Sequence, residues 1–302
     1  MGRILNLGSL NLDYVYGVPH FLQPGETLAA RSRELFCGGK GLNQSVAAAR
    51  AGARVFHAGA AGAEDGAGLL ALLRDAGVDV SRVLPRQSPS GHTIIQVTPQ
   101  GQNAILLWPG ANRSLTPEEL PGLLAGFGPG DLLVLQNETS CVEEAMRLGA
   151  ERGMEVCLNP SPMDDAAAAL PLELCGVLLI NETEGAALYG GASPEELLAR
   201  LAARFPETDV VLTLGGDGAM VSQGKTGRVL RVPAYRVPVV DTTGAGDTFT
   251  GYFLAARAAG EPLETCLRLA SGAAALAVGR PGAAASVPVL AEVEAFLREV
   301  EA

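Results

Sequence analysis

Two hydropathic rhythms alternate along the chain. The short apolar runs "RILNLGSL", "RVFHAGA", "DLLVLQN", "MEVCLNP", "GVLLIN" and "DVVLTLGG" show almost no polar alternation, as expected for strands buried on both faces. Between them lie "NQSVAAARAG", "DGAGLLALLRDAG", "SCVEEAMRLGAERG" and "SPEELLARLAARF", with apolar residues at helical spacing. Several of these open on Asn, Ser or Asp and close on Gly, the residue types that cap helices. The alternation predicts a doubly wound α/β fold: a mainly parallel sheet with helices on both faces.

Two stretches break the rhythm. Residues 12–36 and 90–108 contain no helical pattern and read as strand pairs around turns at "QPGET" and "PQGQ". Inserted near the start of an α/β domain, they predict a small β-lid that covers a site; the alternative is an antiparallel extension of the main sheet. After position 240 helices replace strands. With no repeat and no low-complexity linker, residues 1–302 read as a single domain.

Composition narrows the class. The chain has 302 residues, 48% of them apolar, enough for one large core or two modest ones. A net charge of −11 leaves no basic block to neutralise a run of phosphates, which argues against a nucleic-acid partner. Cys37, Cys141, Cys157, Cys175 and Cys266 are scattered without a CxxC pair, so free thiols in a reducing cytosol are expected. The start "MGRILNLGSLN" lacks a signal-peptide pattern, and Asn6 breaks the myristoylation pattern. No apolar run approaches membrane-spanning length. A cytoplasmic protein without a membrane partner is the expectation.

Candidate chemistry concentrates in "VVDTTGAGDTFTGYF" (239–253). "VPVV" reads as a strand and "DTFTGYFLAARAAG" as a helix, so Gly244, Ala245 and Gly246 fall at the junction. Free N–H groups and the dipole at a helix N-terminus favour an anion there, and small side chains admit it closely. Asp247, in the first turn, would serve as base for a hydroxyl attacking a phosphoryl group; alternatively it is only a first-turn acid after a plain turn. "CGGKGLNQS" adds Gly39, Gly41, Lys40 and Asn43 at another helix start, and "GSLNLD" puts Asn11 and Asp13 at a strand end, where open sheets bind ligands. Asn11 and Asp13 suit sugar hydroxyls or an Asx turn. In "LLINETEG", Asn181 and Glu184 share a helix face, either as the outer sphere of hydrated Mg²⁺ or as a cap. "LTLGGDG" is a phosphate or adenine loop, or a hairpin. "GAMVSQGKT" is not a Walker A loop, because five residues separate Gly218 from Gly224 and a strand-like run follows. His20, His57 and His92 are dispersed, and His57 reads as a packed strand residue.

"GGKGLNQS", "NETE", "TLGGDG" and "DTTGAGDTF", in this order, resemble the ribokinase (PfkB-type) family of carbohydrate and nucleoside kinases. The likeness runs from "GSLNLD" to "PGAAASVP". It implies that Asp247 is the catalytic base and that Gly244, Ala245 and Gly246 form the anion hole for the γ-phosphoryl group of ATP. It further implies that Asn11, Asp13, Gly39, Lys40, Gly41, Asn43 and Glu138 bind the sugar. Asn181 and Glu184 would serve nucleotide and Mg²⁺, and Thr213, Gly215, Asp217 and Gly218 would surround ATP, with Ser271 near adenine. "AVGRPGAAAS" is similar to the family's monovalent-cation loop; carbonyls of Asp241, Thr243, Ala277, Arg280 and Gly282 with the Ser286 hydroxyl would ring K⁺, as oxygen ligands suit a hard cation. A homodimer through the lid strands is also implied. Tyr252 departs from the family, which usually has a small residue there. "GSLNLD", "PGET", "GGKGLNQ" and "PGAN" look most like kinases acting on the 5-hydroxyl of D-ribose. Trp108, in "ILLWPGAN", either stacks on a base, which keeps a ribonucleoside kinase (adenosine or pseudouridine-like) open, or is a packed lid or dimer residue. A non-catalytic sugar sensor is a third reading, against which Asp247 stands.

Overall fold

The computed structural model describes residues 2–190 and 193–301. Its strands are β1 (Ile4–Leu7), β2 (Asn11–Gly17), β3 (Ser32–Gly38), β4 (Val55–Gly62), β5 (Asp79–Arg86), β6 (Gly91–Val97), β7 (Asn103–Trp108), β8 (Leu132–Gln136), β9 (Glu155–Asn159), β10 (Val177–Asn181), β11 (Asp209–Thr213), β12 (Ala219–Ser222) and β13 (Val229–Val232). The helices are α1 (Lys40–Arg50), α2 (Ala67–Asp75), α3 (Leu120–Leu123), α4 (Val142–Glu151), α5 (Asp165–Ala168), α6 (Glu182–Tyr189), α7 (Pro194–Arg204), α8 (Ala245–Ala259), α9 (Leu263–Val278) and α10 (Leu290–Val300).

The main sheet has nine strands in the order β13-β12-β11-β10-β9-β8-β1-β4-β5. From β11 to β5 every neighbouring pair is parallel, and β12 and β13 close one edge antiparallel. Alternate side chains leave opposite faces, so Ile4 joins the core layer under α1, α8 and α9 while Leu5 joins the layer under α4 and α7. Both layers are apolar, which is why the six strand runs lack alternation. Strand β5 has the half-exposed pattern of an edge strand, and sequence reading missed it for that reason. The chain winds outward one way from β1 through β4 and β5, then the other way through β8 to β11. This creates a switch point between β1 and β8, beside which ligands bind at the strand C-terminal ends.

Residues 12–36 and 90–108 contribute a separate sheet, β3-β2-β6-β7. The β6–β7 connection is tight, closed by Thr98 N–H to Gln102 O. Between β2 and β3, however, residues 18–31 form a long loop rather than the expected turn at "QPGET". The expected strand at "VPVV" is also absent. Pro238 has no N–H to donate, Val239 and Val240 are exposed, and Val240 N–H bonds to Val278 O at the end of α9 rather than to a strand.

Helix α8 is held at its C-terminal end and at its middle. Near its C-terminus Arg257 pairs with Glu155 (2.8 Å) and Asp209 (3.0 Å) at the N-terminal ends of β9 and β11. Midway, Gly251 lies so close to α1 that an added Cβ would sit 2.4 Å from Ala47 Cβ. That close crossing sets α1 side chains beside the first turn of α8.

Candidate active site

A cavity opens at the C-terminal edge of the main sheet, lined by Lys40, Asn159, Ser161, Leu179, Ile180, Asn181, Glu184, Thr213, Gly244, Gly246, Asp247 and Thr250. It thus joins β9, β10 and β11 to the first turns of α1, α6 and α8. Gly244 is the N-cap of α8 at φ 74°, a left-handed conformation that glycine adopts without strain. No side chain caps α8 there; Ala245 N–H turns to Thr242 O at 3.3 Å, and the amides of Gly246 and Asp247 form the uncapped positive helix end at the cavity.

Asp247 is buried at 8% exposure and gripped through both oxygens. Oδ2 accepts from Asn43 Nδ2 at 3.0 Å and Oδ1 from Gln44 Nε2 at 3.0 Å. Asn43 Oδ1 is buried without a partner, leaving an acceptor beside the carboxylate. Lys40 completes this side of the cavity. Burial works against its charge, but Asp247, Glu138 and Glu184 outweigh it and hold its pKa above the ordinary value.

Beyond Lys40 the sheet edge meets the lid. Glu138 Oε2 accepts from Lys40 N–H (3.0 Å) and from the Ser9 hydroxyl; burial pushes its pKa up, although Lys40 opposes the rise. Asn11 is buried, its Oδ1 held by Asn112 Nδ2 at 2.7 Å. Asp13 Oδ1 accepts from Thr93 Oγ1 at 2.6 Å, and burial raises its pKa despite that bond. A Cβ at residue 38 would collide with Asp13 Oδ2, so Gly38 is the space that the carboxylate occupies. Gly39 caps α1, and Gly41 N–H reaches Ser9 Oγ (3.1 Å). Of the residues expected on the sugar side only Lys40 and Asp247 line the cavity itself; Asn43 touches Asp247, Glu138 touches Lys40, and Asn11 and Asp13 lie farther out on β2.

On the opposite wall Asn181 and Glu184 form a capping box: Glu184 N–H donates to Asn181 Oδ1 (2.8 Å) and Asn181 N–H to Glu184 Oε2 (3.0 Å). The cap reading therefore holds, and the same two residues line the cavity. Thr213 reaches the cavity, whereas Gly215, Asp217 and Gly218 form the turn behind it and Ser271 is buried in α9, its hydroxyl unpartnered. Of the expected cation ligands, the structure ties residues 241–243 to Gly282 through the Asp241 carboxylate, and the Ala277 carbonyl is already taken by a backbone bond. Asp241 carboxylate oxygens accept from Thr243 N–H and from Gly282 N–H, both at 2.9 Å. Ser286 Oγ donates to Ala283 O, and Arg280 N–H to Ala277 O. Tyr252, the departure in α8, is buried with its hydroxyl on Pro288 O at 2.8 Å, so it packs α8 against the segment before α10.

The profile described as pfkB family carbohydrate kinase matches residues 1–290. The chain belongs to that family. A ribokinase of Haemophilus influenzae is 35% identical over 299 residues, covering 96% of this chain and 97% of that protein. Among solved structures, Cryptococcus neoformans ribokinase in complex with ADP has a TM-score of 0.86 at 32% identity, covering 98% of this chain and 99% of the other. Arabidopsis thaliana ribokinase complexed with ribose and ATP has a TM-score of 0.87 at 28% identity, covering 99% of each chain. As a pfkB family member the protein is an ATP-dependent carbohydrate kinase, a phosphotransferase with an alcohol group as acceptor, in a family that works with a divalent metal. Among the described residues no cluster of three or more His, Cys, Asp or Glu could cage a metal. Of the two carboxylates lining the cavity, Asp247 is taken up by Asn43 and Gln44, while Glu184 fits an ion such as Mg²⁺, which keeps most of its ligands as water and phosphate oxygens. No helix among the described residues is long and apolar enough to cross a membrane.

Sequence reading missed Asn159, Ser161 and Thr250 on the cavity wall, Gln44 on Asp247, and Thr93 and Asn112 behind the lid. A usable signal existed for Asn159: like Asn181, it is a polar residue ending a buried strand. Thr93 and Asn112 carried none, because only the folded lid brings them to Asp13 and Asn11.

Proposed function

We propose that this protein transfers the γ-phosphoryl group of ATP to the 5-hydroxyl of free D-ribose. The observation that carries the reading is the Asp247 carboxylate, fixed through both oxygens at the uncapped N-terminus of α8, in a cavity shared with Asn181, Glu184 and Thr213. Asn11, Asp13, Asn43 and Glu138 bind the sugar, with Gly39, Lys40 and Gly41 shaping that end. Asp247 takes the proton from the attacking hydroxyl. Amides of Gly244, Ala245 and Gly246 stabilise the charge growing on the transferring group, and losing one such donor costs roughly 3 kcal/mol. Lys40 adds positive charge on the same side. Asn181, Thr213, Gly215, Asp217, Gly218 and Ser271 are assigned to ATP. Glu184 would hold Mg²⁺ through water, and the ion would neutralise phosphate charge.

Asp241, Thr243, Ala277, Arg280, Gly282 and Ser286 are assigned to K⁺; the Asp241 bonds that tie 241–243 to Gly282 support one shared loop cluster. The lid has Ile105, Leu106 and Trp108 exposed at 59, 67 and 59%, which supports a homodimer through the lid strands within a single-domain chain. Free thiols at all five cysteines support a reducing, cytoplasmic setting. Exposed Trp108 also favours, as second reading, a ribonucleoside kinase in which a base stacks on the lid.

The deciding experiment compares kcat/KM for ribose, 2-deoxyribose, adenosine, uridine and pseudouridine at fixed ATP, Mg²⁺ and K⁺. Sites that hydrogen-bond a hydroxyl reject analogues lacking it by up to about 10⁴-fold, so ribose should lead 2-deoxyribose widely and lead each nucleoside by an order of magnitude. A nucleoside ahead of ribose overturns the choice. Binding of ribose without turnover would point to the sugar sensor.

A further inference from the structure

Behind Asp247 runs a buried chain of polar side chains whose donor and acceptor order is fixed from both ends. At the far end, His57 Nε2 faces Gly8 O at 3.2 Å. A carbonyl only accepts, so Nε2 carries the proton. Burial pushes the His57 pKa down to about 4, so the ring is neutral and Nδ1 accepts. Ser45 Oγ, 2.8 Å from Nδ1, therefore donates to it and accepts from Asn6 Nδ2 at 2.8 Å. Asn6 Nδ2 also reaches Gly41 O, which fixes that amide independently. Asn6 Oδ1 and Gln44 Oε1 then both accept from Gln136 Nε2, at 3.0 and 2.8 Å. That leaves Gln44 Nε2 with one proton for Asn159 Oδ1 and one for Asp247 Oδ1, at 3.1 and 3.0 Å. Asp247, an acceptor when ionised, closes the chain.

Turning over either glutamine amide would break this order. A turned Gln44 would aim its oxygen at the Asp247 carboxylate; a turned Gln136 would aim its oxygen at two other oxygens. Gln136 Oε1 remains buried with no partner, a cost the fold accepts to keep both protons of Nε2 committed.

We propose that Gln44 is a positioning residue for Asp247, and that Gln136, Asn6, Ser45 and His57 set its amide so that it always donates to Oδ1. With Asn43 on Oδ2, the carboxylate is held in one rotamer facing the acceptor hydroxyl. The inference rests on the reading of Asp247 as the base.

The test uses Gln44→Met, which keeps length and volume but removes the donor, Gln136→Met, which leaves Gln44 in place but frees its amide to turn, and Asp247→Asn as reference. Misplacing a reacting group by about 1 Å costs about 10²-fold in rate. Gln44→Met should lose kcat on that order while the ribose dissociation constant, measured by calorimetry, stays within about twofold. Gln136→Met should show the same split with a smaller loss. Wild-type kcat in a folded Gln44→Met, or kcat and ribose affinity falling together, overturns the proposal. If Gln44→Met does not fold, Gln136→Met decides on the same split. An inactive Asp247→Asn beside an unimpaired Gln44→Met removes the positioning role alone. An active Asp247→Asn removes the base assignment and this inference with it.

Discussion

His57 should make the fold lose stability on mild acidification, by an amount that can be worked from its surroundings. The ring is fully buried, on β4, between β1 and the edge strand β5. Desolvation pushes its pKa from 6.5 down to about 4, with the bond to Gly8 O opposing the shift. The unfolded chain thus binds a proton near pH 6.5, which the folded protein refuses until about pH 4. The unfolded state then carries more protons through this window, so stability is fully present above pH 6.5 and is lost as pH falls toward 4. A shift of roughly 2.5 units at about 1.4 kcal/mol per unit sets a limit near 3 kcal/mol, of which about 2 kcal/mol is already gone at pH 5. His57→Gln keeps a donor for Gly8 O but cannot titrate. Its loss of the Ser45 contact adds an offset that does not depend on pH. Urea denaturation of both proteins between pH 8 and 5 isolates the ring, because Asp13, Glu138 and Asp209, whose pKa values burial raises, act alike in both. The difference in stability between the two should shrink by about 2 kcal/mol at pH 5. Parallel curves would refute the assignment of a neutral, proton-refusing His57, and with it the donor order of the chain that ends on this ring.

Four further outcomes are expected. Asp247→Asn should lower turnover at least about 10²-fold with ribose and ATP binding retained; wild-type turnover in a coupled ADP-release assay removes the base. K⁺ should raise the rate over Na⁺ or Li⁺ at matched ionic strength through support of the anion hole, and equal rates in all three salts would retire the cation loop. Gly251→Ala, whose Cβ meets Ala47 at 2.4 Å, should cost about 1–3 kcal/mol by overpacking and also depress kcat by moving α1 from Asp247; unchanged melting and kcat would contradict the close crossing. Charging the lid face with Ile105→Asp and Leu107→Asp should convert a dimer to a monomer in sedimentation equilibrium. A wild-type protein that is already monomeric would end the dimer reading.

The fold was legible where burial is symmetric. The strands β1, β4, β8, β9, β10 and β11 have apolar neighbours on both faces, so their sequence runs are nearly continuous, and β8 to β11 each end on a polar residue: Gln136, Asn159, Asn181 and Thr213. Legibility failed where backbone partners, not hydropathy, decide. "VPVV" has strand composition, yet Pro238 removes a donor and Val240 bonds to the end of α9, so the segment stays extended without a ladder. Strand β5 fails in the other direction, because an edge position exposes alternate residues and weakens the apolar run.

For the site, the junction residues were readable because they must be small or acidic for reasons local to one turn: Gly244 for its left-handed φ, Asp247 for its place in the first turn of α8. Residues that act on them from other elements were not. Gln44 sits beside Asn43 in a run that reads simply as an amphipathic helix, and Gln136 looks like any residue at the end of a buried strand. Their importance lies in which hydrogen each amide donates, and that is fixed by Gly8 O and Asp247, more than a hundred residues away from Gln136 in each case. A pattern of residue types carries the positions of donors and acceptors but not their order. That order emerges only when the sheet brings β1, β4 and β8 side by side under α1, and it decides whether the Asp247 carboxylate is held or repelled.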